Sequence, residues 1–411
     1  MYNIGIYLLR VGLLLVSPFH KKARKMIEGR RETFKILQDK IRVNERYIWF
    51  HAASLGEFEQ ARSTIEIIKK EMPQYKILLT FFSPSGYDVQ KEYPFADIVC
   101  YLPFDTSRNA QRFINIVRPH CAIFVKYEFW YNFIHTCHQQ DVPVYLISAI
   151  FRDTQPFFKK RRGKYGNMLH LYSHIFVQDA ASDELLHKFD ISNVSVTGDT
   201  RMDRVIEIQE QSISLPVAEK FVKNLSSDTL IIVAGSSWPP DEEILIDYFN
   251  NRPNVKLIIA PHEIHESHLA EIEQKLKRPA IRYSVVTKEN ITEKACLILD
   301  CFGLLSSIYR YGHIAYIGGG FGAGIHNLPE AAVYGIPVVF GPNFHKFREA
   351  HDLIACGGGY AIQGKVDFYD MMDTLISSSA EREESGSKAR KYIYKNAGAT
   401  RRIMNKIFAA P

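Results

Sequence analysis

Three stretches of the chain place reactive side chains where the backbone turns tightly. The first is WFHAASLGEFEQ, residues 49 to 60, in which a strand-like run ends in small residues and Gly56 and a carboxylate, Glu57, stands where a helix begins. An acid at that point has an ordinary structural reading, because the first-turn N–H groups and the helix dipole attract negative charge. The same turn lies at the carboxyl end of a strand, where open α/β sheets bind their ligands. Ser54, Gly56 and Glu57 therefore also fit a ligand-binding turn whose carboxylate acts as a general base.

The second stretch is YIGGGFGAGIHNLPEAAVYGIPVVFGP, residues 316 to 342, where a strand runs into five glycines within seven positions. A helix is expected to open near Asn327, with Glu330 in its first turn. Glycines allow close backbone approach, and the N–H groups of a helix start attract an anion. Gly320, His326, Asn327, Leu328, Pro329 and Glu330 are the candidates here, with Glu330 placed to accept from ribose hydroxyls. No GK[ST] follows, so this is not a Walker loop, and its late position separates it from the dinucleotide fingerprint. A plain strand–loop–helix turn is the structural alternative.

The third is VAGSSWPPDEE, residues 233 to 243, whose Ser236 and Ser237 either cap a proline-started acidic helix or face a phosphate. PHEIHESH, residues 261 to 268, invites a metal reading, but His262, His265 and His268 stand three apart and drift around a helix. A zincin motif needs its first two histidines four apart, and no separate acidic or thiolate cluster offers a further ligand. No metal or other cofactor is expected. FKKRRGKYG, residues 158 to 166, reads as a solvated basic loop or, with HKKARK at residues 20 to 25, as a contact for lipid phosphates.

These turns need a scaffold, and the apolar pattern supplies one. YIWFHA, YKILLTFF, DIVCYL, CAIFVKY, VPVYLISAI, HIFVQ and VSVTG read as strands of a first set, with amphipathic segments such as 57–70 and 110–117 between them. TLIIVAG, VKLIIAP, CLILD, HIAYIGGG and IPVVFGP form a second set. Continuous apolar strands separated by helices imply parallel sheets covered on both faces. The expected fold is α/β, two doubly wound Rossmann-like domains facing a cleft, divided at QSISLPVAEKFVKN. The domains are placed at 1–45 (an apolar helix and basic segment), 46–212 and 213–411, with a long last helix at about 381–409 free to pack back on the first.

A chain of 411 residues suits two domains, and 46% hydrophobic with 23% charged residues is a globular composition. The net charge of +6 suits a polyanionic partner, though no nucleic acid is expected. The six cysteines form no CxxC pair and are expected to be reduced and buried in a cytosolic protein. MYNIGIYLLRVGLLLVSPF at the N-terminus carries one charge, Arg10, and is followed by HKKARK. Basic residues after the apolar run, and no small-residue cleavage site, argue against a cleaved signal. A short membrane span or an in-plane amphipathic helix is favoured over a core helix of the first domain.

Taken in order, HAASLGE (51–57), LLTFFSPSG (78–86), YEFW (127–130), TGDTRMD (197–203), AGSS (234–237), GGGFGAGIHNLPE (318–330) and GPNFHKFRE (341–349) resemble the 3-deoxy-D-manno-octulosonic acid (Kdo) transferases of lipopolysaccharide synthesis. The resemblance implies a GT-B glycosyltransferase that moves Kdo from CMP-Kdo to a lipid A precursor at the cytoplasmic face of the inner membrane, inverting and without a metal. It assigns the general base to Glu57 and a catalytic cation to Arg201, where the family has lysine. Nucleotide contacts fall on Pro261 and His262, on Gly303, Leu304 and Leu305, and on Asn327 to Glu330. Two positions depart in chemistry. His262 replaces an arginine, and Lys126 stands where many members carry a glutamate two residues before Glu128. Lys126 is expected to meet the Kdo carboxylate or an acceptor phosphate instead.

Overall fold

The structure, a computed structural model, describes residues 2–158, 167–211, 214–286 and 291–408. The chain forms two compact units, one of Met1–Arg204 with Ala397–Pro411 and the other of Val205–Asn396. The first is built on strands β1 (Arg46–Ala52), β2 (Tyr75–Phe81), β3 (Ile98–Tyr101), β4 (Cys121–Val125), β5 (Val144–Ala149), β6 (His174–Val177) and β7 (Val194–Val196). They pair in the order β3-β2-β1-β4-β5-β6-β7, all parallel. Side chains alternate across the sheet, so Trp49 packs with Phe113, Phe124 and Phe133 on one face, while Ile48 and Phe50 join Phe58 and Ile65 on the other. Both faces are covered, which is why the strands read as unbroken apolar runs.

The second unit repeats the plan with β8 (Leu230–Ser237), β9 (Val255–Pro261), β10 (Ala280–Arg282), β11 (Cys296–Ile298), β12 (Ile314–Ile317), β13 (Val338–Phe340) and β14 (Gly359–Ala361). Their order is β10-β11-β9-β8-β12-β13-β14. In each sheet the direction of winding reverses beside the first strand, between β1 and β4 and between β8 and β12. Such switch points open a crevice at the carboxyl ends of the strands. All the candidate turns lie at those ends.

Three expectations about the chain's divisions need correction. The units divide after Arg204 rather than after residue 212. Residues 1–45 are part of the first unit, because the helix Lys21–Lys40 buries Ala23, Ile27, Arg30, Thr33 and Leu37. The expected single tail helix is two, Ser379–Lys395 and Ala399–Ile407, parted at Gly398, whose φ of 89° is left-handed. The second of these belongs to the first unit: Asp203 accepts from the N–H groups of Gly398 and Thr400, and Ile403 and Met404 enter the core beside Phe58. All six cysteines are free, and Cys301 and Cys356 are only half-buried.

Among the described residues no single helix is long and apolar enough to cross a membrane. The helix Tyr2–Val16 nevertheless buries only Ile6, so it is not a core helix of its unit. Of FKKRRGKYG, residues 159–166 lie outside the described residues.

Candidate active site

In the first unit the chemistry gathers at the carboxyl ends of β1, β4 and β5. Small residues at 53 and 54 let the chain leave β1 sharply and enter the helix Leu55–Glu71, which carries Glu57 in its first turn. Ser54 is the residue before the helix, yet its hydroxyl caps no backbone N–H and instead donates to Glu57 Oε2. Among the described residues no protein group hydrogen-bonds Glu57 Oε1. Burial raises the Tyr127 hydroxyl, opposed by Arg152 and aided by Asp179 and, least, by Glu57. Gly56 is exposed, and a side chain there would touch only Ser54 at 3.8 Å.

Glu128 has another task. It is 8% exposed, and its Oε2 meets His51 Nε2 at 3.0 Å and accepts from Trp130 Nε1 at 2.6 Å. The other nitrogen of His51 lies against the carbonyl and hydroxyl of Thr80 at 3.0 and 2.9 Å. This buried acid holds the floor of the site, and removing one member would leave a charge or an unpaired polar group without compensation.

The cations stand beside it. Arg201 donates from Nε and Nη2 to Asp199 Oδ2 at 2.9 and 2.6 Å, and its backbone N–H donates to Oδ1. Asp199 is almost buried, but Arg201, and to a lesser extent Lys126, outweigh that burial and hold its carboxyl below the usual range. Lys126 directly follows β4 with a φ of 65°, and Ser148 near the end of β5 has 54°. Left-handed backbone costs a non-glycine residue about 1–3 kcal/mol and collects at functional sites. Ser148 lies within 3.0 Å of the Thr200 hydroxyl, which donates to the Gln60 carbonyl at 2.6 Å. The Arg201 turn is thus bolted to the helix that carries Glu57.

In the second unit the ends of β8, β9 and β12 form one cradle. Ser236, with a φ of 53°, and Ser237 sit at a bulge opposite Pro261. Ser237 is buried and donates to Glu242 Oε1 at 3.0 Å, so its hydroxyl neither caps the helix nor reaches a ligand. Glu242 in turn meets His268 Nε2 at 2.8 Å. His265 precedes the helix Glu266–Lys275, and His262 stacks on the rings of both Trp238 and His326, 4.6 Å from each. His265 and His268 both contact Glu263 and lie ring to ring at 5.6 Å, whereas His262 is held apart from them by Trp238 and His326.

The glycine loop is set by an acid outside it. Asp241, fully buried, accepts from the N–H groups of Gly319 and Trp238, both at 2.9 Å, and from the Tyr316 hydroxyl at 2.7 Å. Trp238, Gly319, Phe321, Gly324 and His326 line a cavity of about 370 Å³. Gly320 crosses Gly341 backbone to backbone, and the expected helix shrinks to one turn, Pro329–Ala332. Pro329 starts it and left-handed Gly335 follows three residues after its end, so almost no macrodipole develops and an anion would rely on loop N–H groups. Asn327 donates to Glu330 Oε1 at 2.7 Å, while Leu328 and Pro329 are buried. Glu330 is also close enough to raise the buried Tyr309 hydroxyl, after burial itself. Leu305 and Tyr309 fill the space that a side chain on Gly235 would occupy, which brings the turn at Gly303 and Leu304 beside the same strand end. Tyr127, Asp199, Trp238 and Asp241 are site residues absent from the sequence expectations.

His326 gives this cradle a pH dependence. Burial first, and the neighbouring His262 second, lower it from 6.5 to about 4. Trp238 Nε1 donates to His326 Nε2 at 3.1 Å, which requires that nitrogen to be unprotonated. Folding therefore favours the neutral ring. Its contribution is complete above about pH 6.5 and is lost as pH falls toward about 4. The melting temperature should fall across that window, and His326→Gln should flatten the fall; an unchanged slope in the variant overturns the assignment.

Comparison with known proteins agrees with this architecture. A family model described as 3-deoxy-D-manno-octulosonic-acid transferase (kdotransferase) matches residues 28–204. The chain is 26% identical over 402 residues to a bifunctional glycosyltransferase/methyltransferase of Fusobacterium nucleatum, covering 94% of this chain but 60% of that protein. It is 27% identical to the 3-deoxy-D-manno-octulosonic acid transferase of Aquifex aeolicus, covering 81% and 87% of the two chains. For the Haemophilus influenzae protein of the same description the identity is 26%, covering 87% and 86%. Among solved structures, UDP-GlcNAc 2-epimerase from Neisseria meningitidis (TM-score 0.64, 15% identity, 89% and 100% covered) shares the fold. So does MurG of Acinetobacter baumannii (TM-score 0.57, 12% identity, 89% and 100% covered). The fold is GT-B.

Proposed function

We propose that this chain, which belongs to the 3-deoxy-D-manno-octulosonic-acid transferase family and is a glycosyltransferase, moves Kdo from CMP-Kdo to a lipid A precursor at the cytoplasmic face of the inner membrane, with inversion and without a metal. The observation that carries the reading is the carboxylate of Glu57, held through Oε2 by Ser54 at the carboxyl end of β1. An acceptor hydroxyl gives its proton to Oε1 as its oxygen attacks the anomeric carbon. The bond from that carbon to the phosphate oxygen breaks, and the electron pair leaves with CMP.

Lys126 and Arg201 supply positive charge for the sugar carboxylate, and the Asp199 carboxylate orients the guanidinium. Lys126→Ala is expected to lower kcat/KM for CMP-Kdo by about 10-fold or more, the weight of one hydrogen bond to a charged group. Unchanged kcat and KM values for both substrates would remove Lys126 from the site. Of the glycine loop, the N–H groups of Gly318, Gly319, Gly322 and Gly324 are bonded within the protein, so those of Gly320, Phe321 and Ala323 receive the phosphate, and Asn327 and Glu330 receive the ribose. Preorganised donors of this kind stabilise a leaving group without a metal.

Mass spectrometry of products formed from CMP-Kdo and a tetraacyl lipid A precursor tests the reading and counts the sugars added. The second reading, a GT-B enzyme that uses a UDP- or GDP-sugar on a lipid, predicts no product there. It also predicts that UMP or GMP raises the melting temperature more than CMP does.

A further inference from the structure

We propose that an arginine-lined cavity beneath the N-terminal helix binds a phosphate monoester carried by a membrane lipid. The helix Tyr2–Val16 leaves Ile4 62%, Leu8 67% and Leu15 70% exposed, and Phe19 just beyond it is 92% exposed. Its start is pinned: the Tyr2 hydroxyl donates to Asp105, and Asn132 donates to Asn3 at 2.9 Å. A fixed helix that holds its apolar side chains in water presents a contiguous patch suited to a lipid surface.

The cavity lies where this helix meets the helices Lys21–Lys40 and Ser107–Val117. Its volume is about 320 Å³, and its lining includes Arg10, Arg30, Arg31 and Arg112 but no carboxylate. Among the described residues, none of these four guanidiniums has an acidic partner. Arg112 lies over the Phe34 ring at 4.1 Å. Arg30 is the informative one. It is 6% exposed and donates only to the carbonyls of Met26 and Phe82, and its Nε is buried with no partner. The rings of Phe82, Tyr101 and Phe104 surround it, and burial lowers it to about 10.

A buried, unpaired cation is costly, and three further cations beside it raise that cost. A dianionic ligand removes it. Guanidinium forks match phosphate geometry, and four of them exceed what one carboxylate can use. The exposed apolar helix along the same cavity identifies the source as a lipid. From Arg30 the contacts run to Phe82, whose ring stacks on Trp130, which donates to Glu128. A headgroup held here lies a short chain of contacts from the floor of the candidate site. The inference extends the proposed function, whose acceptor is a lipid, but it stands on separate observations.

Sedimentation with phosphatidylcholine vesicles containing phosphatidic acid, or phosphatidylserine matched in surface potential, tests it without any turnover. The native protein should prefer phosphatidic acid. R31Q/R112Q should lose about 25-fold on those vesicles, at roughly five-fold per cation, and lose the preference. K21Q/K22Q, outside the cavity, should weaken both vesicle types equally and keep the preference. Equal losses for R31Q/R112Q on both vesicle types, or no native preference, would overturn the proposal. So would glycerol phosphate raising the melting temperature as strongly as short-chain phosphatidic acid, since free phosphate would then be the ligand. A preference for phosphatidic acid with no Kdo product would separate failure of the reaction from failure of the site.

Discussion

Glu57→Gln should lower kcat by about 10²–10⁴-fold, the range for removing a general base, while the protein stays folded. The substitution keeps the size of the side chain and its ability to accept from Ser54, and it removes only the capacity to take a proton. Helix-start acids contribute about 0.3–1 kcal/mol. In a unit of this size that corresponds to a melting-temperature change of about 1–4 °C. The competing structural reading makes the opposite forecast, with a small loss of stability and ordinary turnover. Glu57→Asp adds a geometric control. It retains the acid but withdraws the oxygen by one methylene, and a displacement of about 1 Å can cost about 10²-fold. A steady-state kcat together with a thermal melt for each variant decides between the two, and wild-type turnover in Glu57→Gln removes the carboxylate from the chemistry.

The scaffold was readable wherever the chain signals locally. Twelve apolar runs corresponded to strands, because strands buried on both faces need unbroken apolar sequence. The edge strands β10 (AIR) and β14 (GYA) were missed because, unlike the equally short β7, β11 and β13, neither sits in an apolar run. The break in the tail was hidden for another reason. Asn396 and Gly398 are weak helix stops, and what fixes the break is Asp203, which bonds Gly398 and Thr400 from 195 and 197 positions away.

The same distinction applies to the site. Residue types and strand-end positions marked Glu57, the glycine loop and His326. They did not show that Glu128 is spent on His51, 77 residues away, or Ser237 on Glu242, because a hydroxyl or carboxylate looks the same in sequence whether it faces a ligand or a neighbour. Asp241 was read as one of the acids of PPDEE, at a helix start, where acids are common. Its actual partners, Tyr316 and Gly319, lie on another strand and in the glycine loop.

Gly320→Ala should destabilise the second unit by about 3 kcal/mol or more, near the upper end for overpacking a tight contact. A Cβ on Gly320 would stand 2.5 Å from the Cα and 2.6 Å from the nitrogen of Gly341, and both are backbone atoms that cannot rotate aside. Relief requires the loop after β12 to part from the loop after β13, which carries the N–H groups proposed for the phosphate out of place. In a unit of this size the loss corresponds to about 6–12 °C of melting temperature, and CMP should give correspondingly less protection. Gly322→Ala, two residues away, is the matched control. Its Cβ would meet only the Gly319 carbonyl oxygen at 3.6 Å, an ordinary contact, so its effect should stay within about 0.5 kcal/mol. Both substitutions add one methyl group to the same loop, so propensity and unfolded-state effects largely cancel between them. If the two variants melt together, the crossing at Gly341 is looser than its distances imply, and the glycines at 318–320 would then be serving turn geometry rather than close approach.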